Sequence, residues 1–513
     1  MWLSVSKHHR FCRAKPATIP KEREAFETKA MVINMINNII PTPKKVELAE
    51  GSINIPFSVI SERKEWESYT DTLSAAFEKL FDIPLEKAIG GIRLVFDSTL
   101  PPKSYRFDSR EEVILSASDS EGILYAIATL LQAVTVKNGE MTLEKALIED
   151  YPEKDYRTLM IDLAREWHPA KTVHQYIDLC FILKIKYLHL HFIDDQRYTL
   201  PSKAFPHITD GNRYYSYKEI AAMNDHAKTR GVIIVPEFEA PGHAAALNRN
   251  YPDVFANQLE GDGGKVVTEN GDVITARNVV CAGSSKTIYG IKVLIEEMCE
   301  LFPEAPYIHI GGDEANIKAW NYCSVCKAYM KENGIEDEYE LYSEFVGRVA
   351  RIVLDLGKTP IVWEGFPKKG VRHIPKETIV IAWESHYHMA YDLLDAGFKV
   401  INGSWQPLYI VPSPNRRWGI SEILNWNIYN WQHWWVHSQA RLNPINVSPT
   451  EQVIGAQLSV WECTFEQEIS RTMENLSALS ERTWTLERLW DDAQFISRAK
   501  PTLMRIARFI QDV

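Results

Sequence analysis

YIHIGGDEA, residues 307–315, sets a short apolar run against two glycines and two adjacent carboxylates, Asp313 and Glu314. The run is too short for a helix and is bounded by glycine, so it reads as a buried strand whose C-terminal end presents acids. Seven more runs of the same kind recur along the chain: TLMIDLAR (158–165), IKYLHLHFIDD (185–195), VIIVPEFE (232–239), PIVWEG (360–365), IVIAWES (379–385), FKVINGS (398–404) and VIGAQLSVWE (453–462). Helical patterns such as VHQYIDLCFILK (173–184) and SYKEIAAMNDHAKTRG (216–231) separate several of them. Continuous apolar strands alternating with helices indicate a parallel sheet, and eight of them indicate a (β/α)8 TIM barrel.

The barrel predicts reduced helices between the fifth and seventh strands, where the spacing is short. It also predicts a long loop after the third strand, about 250–285, as a wall for a pocket. Upstream, VISERKEWESYTDTLSAAFEKLF (59–81) and SEGILYAIATLLQAV (120–134) have helical spacing, with a start signal at Ser120-Glu121-Gly122; IRLVFD (92–97) and EVILSA (112–117) read as strands. The expected fold class is α/β, a barrel preceded by a small α/β domain. The expected divisions are a flexible N-terminal extension or over-long start over 1–38, the small domain over 39–152, the barrel over 153–485, and a C-terminal helical segment over 486–513. ISRTMENLSALSERTW (469–484) closes the barrel in this reading, and FISRAKPTLMRIARFI (495–510) packs beneath it.

The net charge of −11 argues against nucleic acid or an anionic membrane as partner. No run approaches a membrane span, and the N-terminus has no continuous apolar core of a secretory signal. Seven cysteines are an odd number for a secreted disulfide framework. The expected location is the cytoplasm.

Barrel enzymes build their sites at the C-terminal strand ends. Here these ends give, in order, Asp162 and Arg165; His191, Asp194, Asp195 and Gln196; Glu237, Glu239 and His243; Asp313 and Glu314; Trp363 and Glu364; Trp383 and Glu384; Trp405 and Tyr409; and Trp461 and Glu462. One such residue alone is a solvated strand end or an ion pair. Eight polar ends, three with tryptophan beside glutamate, fit a sugar site, where carboxylates grip hydroxyls and rings cover apolar faces.

The chain resembles the family 20 glycoside hydrolases, the β-N-acetylhexosaminidases, from about residue 39 to 484. HIGGDEA carries the likeness most specifically, and HFIDDQ, PEFEAPGH and VWE follow in the expected order. Most glycosidases face two carboxyl groups across the scissile bond, which adjacent residues do not easily do. The resemblance implies another arrangement, in which the substrate's 2-acetamido oxygen attacks C1 to form an oxazolinium ion. Glu314 then matches the acid, and Asp313 matches the anion that orients the acetamide N–H. Mutual repulsion of the pair is expected to help keep Glu314 protonated.

By the same resemblance, Arg165 matches the arginine on the outer hydroxyls, and Trp363, Trp383 and Trp461 match the box around the acetamide methyl. Tyr409 matches the donor to the acetamide oxygen, Glu462 a ligand for outer hydroxyls, and Asp194 and His243 supports near the acid. Core packing is the competing reading for each tryptophan. The chain departs from the family pattern at Glu239, where relatives have aspartate, and at Val411, where they have aspartate two residues after the tyrosine.

The activity implied is a retaining exo-β-N-acetylhexosaminidase acting on a glycan with a terminal N-acetylglucosamine or N-acetylgalactosamine. Alternatives are a lacto-N-biosidase-like or sulfated-sugar-specific member and a catalytically silent carbohydrate-binding protein. No cofactor or metal is expected; Cys323-x-x-Cys326 lacks a second ligand pair in sequence, and Arg165 disfavours a cation among the acids. The aromatic segment NWNIYNWQHWWVHSQ (425–439) reads equally as an outer subsite or as packing beneath a loop. The oligomeric state stays open, a homodimer included.

Overall fold

The computed structural model describes residues 36–511, apart from residues 89, 138–139, 210, 260–264 and 269. The strands Tyr156–Asp162, Tyr187–His191, Ile233–Glu237, Tyr307–His309, Thr359–Trp363, Ile379–Ala382, Lys399–Asn402 and Val453–Val460 pair in parallel in that order. Pairing of the last with both the seventh and the first closes the ring. These are the eight runs read from the sequence. They are apolar almost throughout because both faces are covered, by helices outside and by side chains inside.

The lumen is filled in layers. Tyr156, Tyr187 and Tyr307 meet near the N-terminal ends of their strands, with ring centroids 4.6–5.9 Å apart. Two residues further along, on the same inward faces, stand His189 and His309, stacked at 4.6 Å. Glu237, His191 and Trp363 form the layer above, beneath the strand ends.

Full-length helices follow strands one to four and strand eight: Ala170–Ile182, Tyr217–Thr229, Ser285–Leu301, Glu338–Asp355 and Phe465–Trp484. Ser216 caps the second of these in a reciprocal box with Glu219. As the spacing implies, only a 3-10 turn, Lys368–His373, and a short helix, Ala390–Asp395, lie between strands five and seven.

In the small domain, Lys45–Asn54 pairs antiparallel with Glu140–Asp150, which pairs in turn with Tyr105–Asp108. Ile114–Ala117, Ile92–Phe96 and Ser58–Ser61 continue the sheet. The strand Lys45–Asn54 carried no apolar signal, because nearly all of its side chains are exposed. The helix expected from residue 59 begins at Glu67; Val59 and Ile60 belong to a strand paired with Ile92 and Arg93, and Val59 is buried in the core. The helix Ser120–Ala133 is capped one residue earlier than expected, by Asp119, whose carboxylate accepts the Gly122 N–H at 2.7 Å. Almost all of that helix is buried because it lies between its own sheet and the barrel helix Ala170–Ile182.

Two terminal expectations change. Of the extension expected over 1–38, residues 1–35 lie outside the described residues; Ile36–Asn38 form a 3-10 turn with Ile36 buried in the core. The last helix, Asp492–Ile510, does not lie beneath the barrel. It runs along the helices Ala170–Ile182 and Glu67–Phe81, fastening the barrel to the small domain.

A buried polar joint unites the same two parts. Asp150 accepts from Trp484 Nε1 at 2.8 Å, Tyr105 Oη at 2.7 Å and the Lys44 N–H at 3.0 Å, and pairs with Lys184 Nζ at 3.2 Å. Burial pushes the Lys184 ammonium down to about 8, against the pull of Asp150. Asp150→Ala leaves that cation unpaired, and the expected cost is about 3–5 kcal/mol in urea unfolding. The double replacement Asp150→Leu/Lys184→Met is expected to recover most of it. An unchanged midpoint for Asp150→Ala would contradict this account of the joint.

Candidate active site

At the mouth of the barrel a cleft of about 340 Å³ is lined by Arg165, Asp313, Glu314, Trp363, Trp383, Trp405, Tyr409, Trp461 and Glu462, together with Val411, Pro412, Ser413 and Arg416. The fold thus brings eight of the ten expected site residues to one cleft wall. Asp194 and His243 stand directly behind it.

Backbone geometry explains how adjacent acids share one cleft. Gly311 and Gly312 follow the fourth strand at φ +69° and +93°, and Glu314 itself sits at +43°. This left-handed path is open to glycine and costs a residue with a side chain. A Cβ on Gly311 would stand 2.0 Å from the Glu239 carboxyl, and one on Gly242 would stand 2.5 Å from the Asp313 carbonyl. The third and fourth loops therefore touch backbone to backbone. Glu239 accepts the Gly312 N–H at 3.2 Å; burial, then the charges of Asp313 and Glu237, push its carboxyl well up.

The supports form one network. Glu237, wholly buried, contacts His191 Nδ1, accepts Trp363 Nε1 at 2.7 Å, and lies 3.1 Å from His189 Nε2 and 2.8 Å from His309 Nδ1. Burial opposes its ionisation, but His191, His309 and His189 overcome that and hold its carboxyl well below the usual range. His191 is raised to about 10 against the effect of its burial, chiefly by Glu237, whereas burial takes His309 down to about 4. His191 Nε2 lies 3.0 Å from Asp194, and Asp194 holds Arg165 at 2.7 Å and His243 Nδ1 at 3.4 Å. An Asp162 turn sets the base of Arg165: its carboxylate accepts the Ala164 and Arg165 N–H groups at 3.1 and 2.9 Å. The Arg165 guanidinium thus stands between Asp162 and Asp194.

His243 connects the network to the pair, with Nε2 3.4 Å from Glu314 and 3.7 Å from Asp313. Burial works against its charge, but hydrogen bonds to Asp194 and Glu314 raise it well above the ordinary range. The pair separates in the direction opposite to the expected one. The charged His243, 3.4 Å away, holds the half-exposed Glu314 below its ordinary value. Burial pushes Asp313 up to about 6, Glu314 adding to the rise and His243 opposing it. The physical reason is the position of the imidazolium, which lies closer to Glu314. Oδ1 of Asp313 is buried and has no hydrogen-bond partner.

The rings enclose the space beside Asp313. Trp363 lies 5.9 Å from Trp461 and 6.2 Å from Trp383, and Tyr409 stacks on Trp405 at 4.7 Å. Trp363 and Trp383 commit their N–H groups, to Glu237 and to the Glu364 carbonyl at 2.9 Å. The Trp461 N–H is buried without a partner, and its ring carries the Arg165 guanidinium at 5.0 Å. Burial pushes the Tyr409 phenol well up, so it stays a neutral donor. Glu364 serves structure: it accepts four backbone N–H groups, Ser385 to His388, at 2.8–3.2 Å. Glu384 is raised to about 9 by burial and then by Glu364, Glu314 and Asp313.

The loop after the third strand lines a different depression, with Lys265, Thr275 and Arg277, and not the cleft; its Thr275 carbonyl instead accepts Asn316 Nδ2 at 2.9 Å. The outer wall comes from the loop after strand seven. Arg416 there went unread, since no motif surrounds it; its guanidinium lies 3.3 Å from the Trp434 ring centroid. Segment 425–439 divides: Trp426 and Trp431 are buried, and Trp431 Nε1 donates to the Ala382 carbonyl at 2.9 Å, while Asn425, Asn427, Tyr429, Asn430 and Gln432 line a depression apart from the cleft.

Residues 155–487 match the family model "Glycosyl hydrolase family 20, catalytic domain", and residues 37–151 match "Glycosyl hydrolase family 20, domain 2". A beta-hexosaminidase of Porphyromonas gingivalis is 26% identical over 91% of the chain, which spans 63% of that protein's length. An exo-beta-N-acetylglucosaminidase from Vibrio harveyi, solved in complex with N-acetylglucosamine, superposes with a TM-score of 0.77 at 22% identity, covering 93% of this chain and 78% of that one. A beta-N-acetylhexosaminidase from Bacteroides fragilis superposes with a TM-score of 0.73 at 23% identity, covering 92% and 96%. The two superpositions speak to the fold.

Gly311→Ala is expected to lower the unfolding free energy by about 1–3 kcal/mol, from the left-handed backbone and the contact with Glu239. Adding Glu239→Ala removes the contact and is expected to return part of the loss. Equal midpoints for Gly311→Ala and the parent would mean that the glycine turn is not under this constraint.

Proposed function

The chain belongs to glycosyl hydrolase family 20, and from that premise we propose that it is a retaining exo-β-N-acetylhexosaminidase working through the substrate's own acetamide. The observation that carries the proposal is the orphaned Asp313 Oδ1, a buried acceptor without a donor beside three tryptophans. An acetamide N–H supplies the donor, and the rings accept its methyl.

In this reading the terminal sugar sits with its outer hydroxyls at Arg165 and Glu462 and its acetamide among Trp363, Trp383 and Trp461. Asp313 receives the N–H and the Tyr409 hydroxyl donates to the carbonyl oxygen, aiming it at C1. Glu314 gives its proton to the leaving oxygen as the C1–O bond breaks and the acetamide oxygen bonds to C1. Asp313 then faces the positive charge of the oxazolinium. Water enters on Glu314, now a base, and restores the β configuration. Val411 offers no acceptor, so the choice between N-acetylglucosamine and N-acetylgalactosamine rests on Arg165 and Glu462.

At rest Asp313 has the higher pKa of the pair, the reverse of the order this cycle needs, and substrate shifts both. An N–H donated to Asp313 favours its charged form and lowers its pKa; a sugar covering Glu314 desolvates it and raises its pKa. The pH profiles carry the sign. Asp313 must be ionised, so kcat/KM is expected to fall as pH drops through about 6. The acid limb of kcat, which reports the complex, is expected at lower pH. Asp313→Asn should abolish the limb in kcat/KM; its persistence there would assign it to another group.

Glu314→Gln is expected to cost about 10²–10⁴-fold in turnover on glycosides with poor leaving groups, because the amide has no proton to give. Activated aryl glycosides should lose far less in the first step. Equal losses on both, in folded protein that still binds, would remove Glu314 as the acid. A matching aryl β-glucoside, without the internal nucleophile, is expected to be a negligible substrate; comparable turnover would remove the substrate-assisted mechanism.

A further inference from the structure

The Cys323-x-x-Cys326 pair, which looked incomplete in sequence, acquires a third thiol in the fold. Cys281, at the end of the long third loop, places its sulfur 3.7 Å from Cys323 Sγ and 3.7 Å from Cys326 Sγ. All three residues are buried. None lines the cleft. Asn257 Oδ1 approaches Cys326 Sγ at 3.6 Å, and its amide is held facing the sulfurs by donation from Nδ2 to the Val279 carbonyl at 2.8 Å.

We propose that Cys281, Cys323 and Cys326, with Asn257 or a water as the fourth ligand, form a structural site for a zinc-class divalent cation. The spacing is that of a tetrahedral ion. Metal–sulfur bonds of about 2.3 Å separate two sulfurs by about 3.8 Å, and a metal–oxygen bond of about 2.1 Å places oxygen and sulfur about 3.6 Å apart. A disulfide needs sulfurs about 2.0 Å apart. Thiolates select a soft, tetrahedral ion. On binding, the three thiols release their protons to solvent as three sulfur–metal bonds form, and no electron is transferred.

A further feature fits a thiolate centre. The Gly283 N–H points at Cys326 Sγ at 3.4 Å, and a glycine is needed for that approach, since a Cβ there would stand 2.8 Å from the Cys326 Cα.

The site joins what the acid pair needs joined. Cys323 follows the 3-10 turn Ile317–Tyr322, which begins just beyond Glu314. That turn already leans on the third loop through Trp320 Nε1, donating to the Val280 carbonyl at 2.9 Å. A bound ion fixes the distal end of the loop that carries Asp313 and Glu314, without touching either.

The test is metal content and cobalt spectroscopy on the full chain, purified untagged and without chelators. The expected result is about one zinc per chain, and thiolate-to-cobalt charge-transfer bands of tetrahedral intensity when Co²⁺ replaces it. Cys323→Ser should weaken the metal by about a hundredfold or more, whereas Cys180→Ser, at a buried thiol elsewhere, should retain it. Metal-free protein that shows no charge-transfer bands with Co²⁺ would overturn the proposal. So would a disulfide within the trio by mass, or zinc retained in Cys323→Ser. Should Cys323→Ser fail to fold, the cobalt spectrum of the parent decides.

Discussion

A carboxylate inside the barrel, Glu237, is the constraint on which the site depends. It is fully buried, a position that an anion keeps only with close partners. Its partners come from three other strands: His189 and His191 from the second, His309 from the fourth and Trp363 from the fifth. Each partner does a second task. Trp363 becomes one wall of the ring box, and His309 sits two residues before the glycine turn. His191 passes the hold to Asp194, which fixes Arg165 and His243. The residues that touch the cleft are thus positioned from beneath by one anion.

The adjacent acids become intelligible at the end of that chain. A strand that simply ran on would aim Asp313 and Glu314 in opposite directions. The left-handed glycines and the left-handed Glu314 bend the path so that both line the cleft, one buried and one about half exposed. His243, charged by Asp194, sits nearer Glu314 and sets the order of the two pKa values, with Asp313 ionised above about pH 6. The resting state is therefore suited to receiving an N–H at Asp313, and it becomes suited to proton donation at Glu314 only when a ligand covers the cleft.

The barrel was legible because eight strands buried on both faces leave eight apolar runs, and because polar residues at their ends break the pattern where the site begins. What escaped reading escaped for particular physical reasons. Lys45–Asn54 is a strand with its side chains in water, so it carries no apolar period. Val59 is apolar because its strand buries it in the core, and it was absorbed into the helical spacing after it. The order of the Asp313 and Glu314 pKa values depends on one imidazole brought from another strand. Cys281 lies far from the C-x-x-C in sequence, and Arg416 belongs to a loop whose shape is set by the tryptophans it covers.

The central claim is that Asp313 holds and charge-stabilises an acetamide nucleophile. The most direct measurement is Asp313→Asn assayed for kcat, KM and inhibition by a stable thiazoline mimic of the oxazolinium, beside the parent. The account predicts a fall in kcat of about a hundredfold to a thousandfold, the usual scale for one such group, with KM little changed and thiazoline binding weakened. Unchanged turnover together with unchanged thiazoline affinity would contradict it and leave Asp313 as a structural neighbour of Glu314.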